Sequence, residues 1–486
     1  MTSLEIIDNK QKKENKRIIP YKITSLNNSQ IEAIKEVENN TLTTVIGAAG
    51  TGKSSTITAL ASHFILTGRK VLIVSKSEHA TDVNYSKLND LNIKFLSFRA
   101  GRINAQKELN QKIMDVLKTQ KDDTKVNKID FIKYFLSKDE NIAKKILSDT
   151  RKEQINNLLS NDEAMKNLLI LAKSCNVKKK SQKDKILETI NFDYILQAIP
   201  CFCITTAEIS NILPLKKDIF DLVICDESSE VDIASFLPCM FRAKKACVIG
   251  DDKQLKSLNF LDNKKNKTFI AKNEIPADLE LVWDYRKNSL FDFCQYYTQK
   301  CILLNIQYRM PENLFRFNNE QFYQGMIKSY KTAEENALQK IFVNGKTDVN
   351  KTQNLEECKA IMKDLKTWLK ENKDNNKTVA VLSMFNSQVE LIKKVMKEVI
   401  SYKEIEKHKI EVLTANSCQG KEFDVCFISW VIDNDCKHQS ITFINNNERF
   451  NVITSRAREK VVNYYSKDNM SDCLLNKYLC SIESEV

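Results

Sequence analysis

The chain has 486 residues, only nine of them glycine and six proline, with 42% hydrophobic and 28% charged. Glycine and proline this scarce exclude collagen-like repeats, flexible linkers and a fold of many tight β-turns, while the apolar share suffices for sizeable cores in about three domains. Lys plus Arg exceeds Asp plus Glu by 75 to 63, a formal +12 that points toward a polyanion such as nucleic acid rather than a basic substrate.

Of the 14 cysteines only Cys201 and Cys203 lie close together, as a CxC, and the four histidines are scattered. Zinc-site spacing is absent, and reduced thiols in a cytosol-like compartment are expected. Residues 1–17 lack an apolar signal core and no run approaches the length of a membrane span, so a soluble, cytoplasmic protein is expected.

Residues 1–20 read as a polar tail. From residue 42 the pattern becomes strand (LTTVI), glycine-rich loop (GAAGTGKSSTI), helix (Thr56 to Leu66) and strand (VLIVS, 71–75), the start of a parallel α/β sheet. Further strands are expected at 220–225, 246–250, 301–305, 378–383, 410–414, 424–432 and 460–465, in two sets. Residues 104–195 contain no glycine or proline and carry Leu and Ile at helical spacing, which predicts an all-helical insertion. Across 101–200 there are 20 basic and 14 acidic residues, densest at VKKKSQKDK (177–185), a solvated face or a nucleic-acid or partner surface. The division expected is 21–103 with 196–300 as the first domain, 104–195 as the insertion, and 301–486 as the second domain.

Residues 47–54, GAAGTGKS, match GxxxxGK[ST] between a strand and a helix, the context that this phosphate loop requires. Gly47, Gly50 and Gly52, with Ala48, Ala49 and Thr51 between them, let backbone N–H groups close around phosphate oxygens, and the helix beginning near Ser55 adds its positive dipole end. Lys53 reaches the β/γ-phosphates of ATP and the Ser54 hydroxyl ligates Mg²⁺. The strand ending at Cys225 delivers Asp226 to hold magnesium and Glu227 to polarise the attacking water. One strand later, GDDKQL places Gln254 where a neutral amide can sense the γ-phosphate.

Together these motifs resemble superfamily 1 helicases, in the 1B branch typified by the nonsense-mediated-decay helicase. LNNSQIEAI (26–34) is similar to the branch's LNxxQxxAI element and places Gln30 at the adenine edge. VLIVSKSEHATD (71–82) and CITTAEISNILP (203–214) resemble its nucleic-acid loops, which implies contacts from Ser75, Ser77, Thr205 and Thr206. IQYRMPENLFRFNNEQFYQGMI (306–327) is close to QYRMxxxIxxFxxxxFYxGxL and implies Arg309 as an arginine finger and Tyr308 against the base. VLSMFNSQVELI (381–392) resembles the PYxxQ element, with Ser383, Phe385, Asn386 and Gln388. LTANSCQGKEFDVCFIS (413–429) resembles TxDxxQGxExDxVxxS, with Thr414 facing nucleic acid and Gly420 and Glu422 facing nucleotide; NVITSRAR (451–458) offers Arg456 as a second finger.

The resemblance implies an α/β fold of two RecA-like P-loop NTPase domains, parallel sheets flanked by helices, with the helical insertion in the first. It also implies an ATP- and Mg²⁺-dependent 5′-to-3′ motor on single-stranded RNA or DNA, with loops on the opposite edge of the sheets gripping the strand; the charge of the insertion, 104–195, separately suggests a protein partner there. The alternative is a nucleotide-gated clamp that unwinds little. The departures are DESSE for DEAxQ, which puts Glu230 in place of glutamine, Lys256-Ser257 for a double proline, Met384 for proline and Ser455 for threonine.

Overall fold

The computed structural model describes residues 20–121, 124–174, 189–257, 261–348, 352–467 and 473–482. The basic stretch 177–185 and nearly all of the tail 1–20 lie outside the described residues. The chain divides into two compact units at Leu304/Asn305, with Ala48–Thr51 and Lys253–Leu255 grouped with the second.

Unit 1 is built on seven parallel strands, β1 (Leu42–Ile46), β2 (Val71–Ser75), β3 (Ser97–Arg99), β4 (Cys201–Thr205), β5 (Phe220–Cys225), β6 (Ala243–Gly250) and β7 (Cys301–Leu303), in the order β3-β4-β2-β5-β6-β1-β7. VLIVS is buried at every position, as a central strand of a doubly covered parallel sheet must be, which is why it reads as an unbroken apolar run. Helices α1 (Asn28–Asn39), α2 (Lys53–Leu66) and α3 (Glu78–Asn89) follow in chain order. Expected to open the second domain, Cys301–Leu303 instead pairs in register with Thr44–Ile46 as the edge strand of the first sheet. The run CILLN carries no signal of which sheet it joins, because pairing partners are non-local.

Between β3 and β4 lie α4 (Ala105–Leu117), α5 (Lys128–Ser137), α6 (Glu140–Leu159), α7 (Asp162–Ser174) and α8 (Phe192–Ala198). These helices share the cores of the sheet. Tyr134, Ile146 and Leu147 pack in one cluster with Leu60 and Phe64 of α2, and Ile113, Leu158 and Leu168 pack in another with Phe202 and Phe220. Arg151 of α6 is buried and donates to the carbonyls of Gln197 (3.2 Å) and Ala198 (2.9 Å) at the end of α8, satisfying acceptors that the helix end leaves unpaired.

In unit 2, the short pair β8 (Ile306–Gln307) and β9 (Lys328–Ser329) precedes β10 (Leu338–Phe342), and β11 (Thr347–Asp348) pairs with β12 (Gln353–Asn354). With β13 (Val379–Ser383), β14 (Glu411–Thr414), β15 (Phe423–Asp433) and β16 (Ala457–Ser466), the five-stranded parallel sheet runs β10-β16-β15-β13-β14. In the first turn of the helix Leu355–Glu371, which packs on β15 and β16, Glu357 is fully buried and accepts hydrogen bonds from Ser429 Oγ (2.6 Å), Ser466 Oγ (2.8 Å) and the Val431 N–H (2.9 Å). Val431 has φ 70°, a strained value for a β-branched residue, at a register shift of β15. The carboxylate thus fixes the irregular part of the strand.

Burial lifts the Glu357 carboxyl to about 7 from an ordinary 4.5, against the pull of Ser429, Val431 and Ser466. The folded protein therefore binds this proton more tightly than the unfolded chain. Its contribution is full below pH 4.5 and is lost as pH rises through 7, costing about 3 kcal/mol of unit 2 stability at pH 8. Denaturant unfolding of unit 2 should show that slope, and Glu357→Gln should flatten it; an unchanged slope would contradict this assignment.

Candidate nucleotide and nucleic-acid sites

The phosphate loop joins β1 to α2. Its Gly50 and Gly52 have φ 78° and 85°, and a Cβ at Gly47 would stand 2.5 Å from Lys53 Cγ, so the loop is a tight cradle only glycine can form. Gly52, at the N-cap of α2, makes no side-chain cap bond, which leaves the first N–H groups of α2 directed to the loop's hollow. Gln30 donates to the Gly52 carbonyl (3.4 Å) while its Oε1 accepts the Asn27 N–H (3.0 Å) in the capping box of α1. This predicted adenine reader is thus also the brace between α1 and the loop.

Lys53 Nζ lies 3.1 Å from the Gly47 carbonyl and 3.4 Å from Glu227 Oε1. Asp226 is buried at the end of β5, its Oδ1 accepting the Glu227 N–H (2.9 Å) and its Oδ2 accepting Asn84 Nδ2 (2.7 Å). Burial first, then the neighbouring Glu227 charge, raises the Asp226 carboxyl to about 6. Two carboxylates sharing one lysine form a site that gains from a hard cation, and the Ser54 hydroxyl and Asp226 carboxylate are the oxygen donors magnesium prefers. The residues present fit Mg²⁺ with a triphosphate. Gln254 is buried beyond β6.

In unit 2, Arg309 ion-pairs with Glu422 and donates to the Ser455 carbonyl (3.3 Å). Burial lowers the Arg309 guanidinium to about 10, and Glu422 counters that fall; Glu422 is held below the ordinary carboxylate range because Arg309 and Arg458 outweigh its own burial. Arg456 is more deeply buried, with Nε on the Val452 carbonyl (2.8 Å), Nη1 on the Lys421 carbonyl (3.3 Å) and Nη2 on Ser455 Oγ (2.8 Å). Tyr308 is 36% exposed beside Tyr330, and Gly420 is left-handed with open space around it.

The candidate nucleic-acid residues fall into adjacent strand ends. Ser75 and Thr205 are register partners on β2 and β4, and Ser383 and Thr414 on β13 and β14. Because the first sheet is wholly parallel, Ser75 and Thr205 sit on the same carboxyl-terminal edge as the phosphate loop and Asp226, displaced along it, and not on the opposite edge as expected. Ser75 is buried and donates to the Ser77 carbonyl (2.9 Å), and Ser77 Oγ caps α3 by accepting the Ala80 N–H (3.1 Å). Thr206 is also buried. Ser383 is spent on the Ser429 carbonyl (2.9 Å), and Gln388 is buried against Ser429 and Asn354. Asn386 is exposed, and Phe385 stacks on Phe443 (5.3 Å), whose other contact is the Arg449 guanidinium at 4.4 Å.

Two models described as AAA domain match the chain in tandem, one over residues 25–260 and one over 286–464. The chain belongs to the superfamily 1 helicases of the nonsense-transcript-regulator type. It is 24% identical over 464 residues to the Arabidopsis thaliana regulator of nonsense transcripts 1 homolog, covering 90% of this chain and 32% of that protein. The Saccharomyces cerevisiae DNA polymerase alpha-associated DNA helicase A is 24% identical over 507 residues, 94% of this chain and 67% of its own. The Gallus gallus DNA replication ATP-dependent helicase/nuclease is 22% identical over 97% of this chain and 39% of its own. The chain thus spans about a third of the length of the first curated relatives it matches. An arterivirus nonstructural protein 10 helicase aligns over 92% of this chain and 63% of its own at 11% identity and a TM-score of 0.39, too low a score to bear on the fold.

The departures from the helicase pattern are locally accommodated. Lys256, in place of proline, pairs with Asp292 (2.8 Å), and the Ser257 N–H donates to the Ser229 carbonyl (2.9 Å), tying the sensor loop to the DESSE turn. Glu230 ends that turn, Met384 is buried, and Ser455 retains the hydroxyl that holds Arg456.

Sequence reading missed Asn84. With Thr81 and Leu88 it forms the inward stripe of α3, so an amide at helical spacing among buried positions was the available signal. Removing it as Asn84→Ala takes away a neutral side-chain donor bonded to Asp226, and the hydrogen-bond partners that orient a metal ligand in this way are worth about 10–100-fold in metal affinity. The Mg²⁺ concentration for half-maximal ATP turnover should rise by about tenfold or more; an unshifted Mg²⁺ titration would remove Asn84 from the account.

Proposed function

We propose that the chain is an ATP- and Mg²⁺-dependent translocase on single-stranded nucleic acid, moving 5′ to 3′ and unwinding duplexes it meets. The observation that carries this reading is the convergence of Lys53, Glu227 and Asp226 behind a glycine cradle at one sheet edge. Relatives named for DNA replication and for nonsense transcripts both support nucleic acid as the substrate class. The 20 basic against 14 acidic residues across 101–200 support a protein partner on the insertion.

Bound Mg²⁺·ATP supplies the phosphoanhydride and a Lewis-acidic cation, held by Ser54, Asp226 and the loop N–H groups. Lys53 turns from Glu227 to phosphate oxygens, which leaves the Glu227 carboxylate to take a proton from water at an Oε atom. Asn84 keeps Asp226 oriented through its Oδ2. The resemblance gives Arg309 and Arg456 the role of arginine fingers for the γ-phosphate, and Gln254 that of registering its loss. The stacked Phe385 and Phe443, with Arg449, form an aromatic and cationic face of the kind on which bases stack.

Strand displacement on duplexes with a 5′ or a 3′ single-stranded tail tests the reading. ATP-dependent unwinding of the 5′-tailed duplex alone is expected. Stable nucleotide-dependent binding with no displacement of either would favour the clamp reading, which the ion-paired Lys256 supports.

A further inference from the structure

Where α6 and α8 of the insertion meet the α2–β2 turn, a cavity of about 270 Å³ opens, walled by Arg69, Lys70, Arg151, Gln154, Asn157 and Gln197 among other residues. A second, of about 290 Å³, shares Arg151 and adds Lys94 and Lys152. Neither wall includes an aspartate or a glutamate. Arg69 is matched by Glu38, and Lys70 by Asp193 at 2.6 Å. Arg151 is not matched. It is 2% exposed and forms no ion pair among the described residues; its Nη atoms serve Gln154, the Phe95 carbonyl (3.4 Å) and the end of α8, and its Nε, itself buried, has no hydrogen-bond partner. A buried charge is normally paired, and a guanidinium with no counter-charge that lines a cationic, amide-walled cavity calls for an acceptor carrying negative charge.

We propose that this cavity binds a small phosphate-bearing anion, separate from the nucleotide loop, with Arg151 as its principal cation. The volume admits inorganic phosphate or a small phosphate monoester and is far too small for a nucleic-acid strand. Guanidinium recognition of phosphate is strong because both the charge and the N–H geometry match.

The test uses the full chain carrying Lys53→Ala, which weakens phosphate binding at the nucleotide loop. Isothermal titration and thermal melting in chloride buffer are run with inorganic phosphate and, in a second arm, ribose 5-phosphate. One equivalent of at least one of them is expected to bind and to raise the melting temperature, and the arm with the tighter binding names the source. Gln154→Glu then places a carboxylate on Arg151 Nη1, in the position of an amide oxygen already bonded there. It should raise the anion-free melting temperature and weaken anion binding at least tenfold. Binding absent in both arms, or undiminished by Gln154→Glu, overturns the proposal; so does a fall in melting temperature for Gln154→Glu. Because the nucleotide loop is already disabled in this background, none of these outcomes bears on the ATPase reading.

Discussion

Lys53→Ala is expected to cut ATP turnover by about 100- to 1,000-fold, as the loss of a preorganised charge on the reacting phosphate does, with little change in folding stability. The asymmetry follows from what the side chain touches. In the protein it holds one carbonyl at 3.1 Å and one partly exposed carboxylate at 3.4 Å, contacts worth less than about 1 kcal/mol. Glu227→Gln separates binding from chemistry. Its amide cannot take a proton, so turnover should fall by about 10²–10⁴-fold while nucleotide affinity is kept. Titration of a fluorescent ATP analogue alongside steady-state phosphate release checks both variants. Near-normal turnover in Glu227→Gln would assign the base elsewhere.

Arg309→Ala is expected to lower turnover by about 10³-fold or more, the range for an arginine finger. Glu422, its partner in unit 2, keeps Arg458 at 3.2 Å, so the carboxylate is not abandoned and the melting temperature should fall only slightly. Arg309→Lys should not restore the rate, since an ammonium lacks the planar fork that guanidinium presents to phosphate. Arg456→Ala contrasts with it: that guanidinium ties two acceptors at the end of the Asn447–Thr454 helix, the Val452 carbonyl and Ser455 Oγ, to the Lys421 carbonyl just before β15, so rate and melting temperature should fall together. Equal stability losses for the two would contradict the distinction drawn between them.

The phosphate loop, the carboxylate strand and the succession of strands and helices were legible because each rests on local chemistry: a glycine cradle, a buried β-branched run, an amide cap. What the sequence left hidden is non-local. Asn84 bonds Asp226 across 142 positions, and no pattern around either residue announces the other. Cys301–Leu303 joins the first sheet by pairing with β1, a choice its own composition does not encode. Ser75 and Ser383, singled out by motif, direct their hydroxyls to backbone carbonyls, so these motif positions shape the strand ends and do not present the side chain. The edge of the sheet on which Ser75 and Thr205 sit was misplaced for a related reason: strand direction follows from pairing, which is fixed only once all seven strands are ordered.

Steady-state ATP hydrolysis by the full chain, measured with and without single-stranded DNA and single-stranded RNA at a fixed, stated salt concentration, tests the central claim most directly. Magnesium-dependent turnover that at least one polymer stimulates, and that Lys53→Ala removes, is the result predicted. Turnover unaffected by either polymer, or persisting in Lys53→Ala, would contradict a nucleic-acid-driven motor.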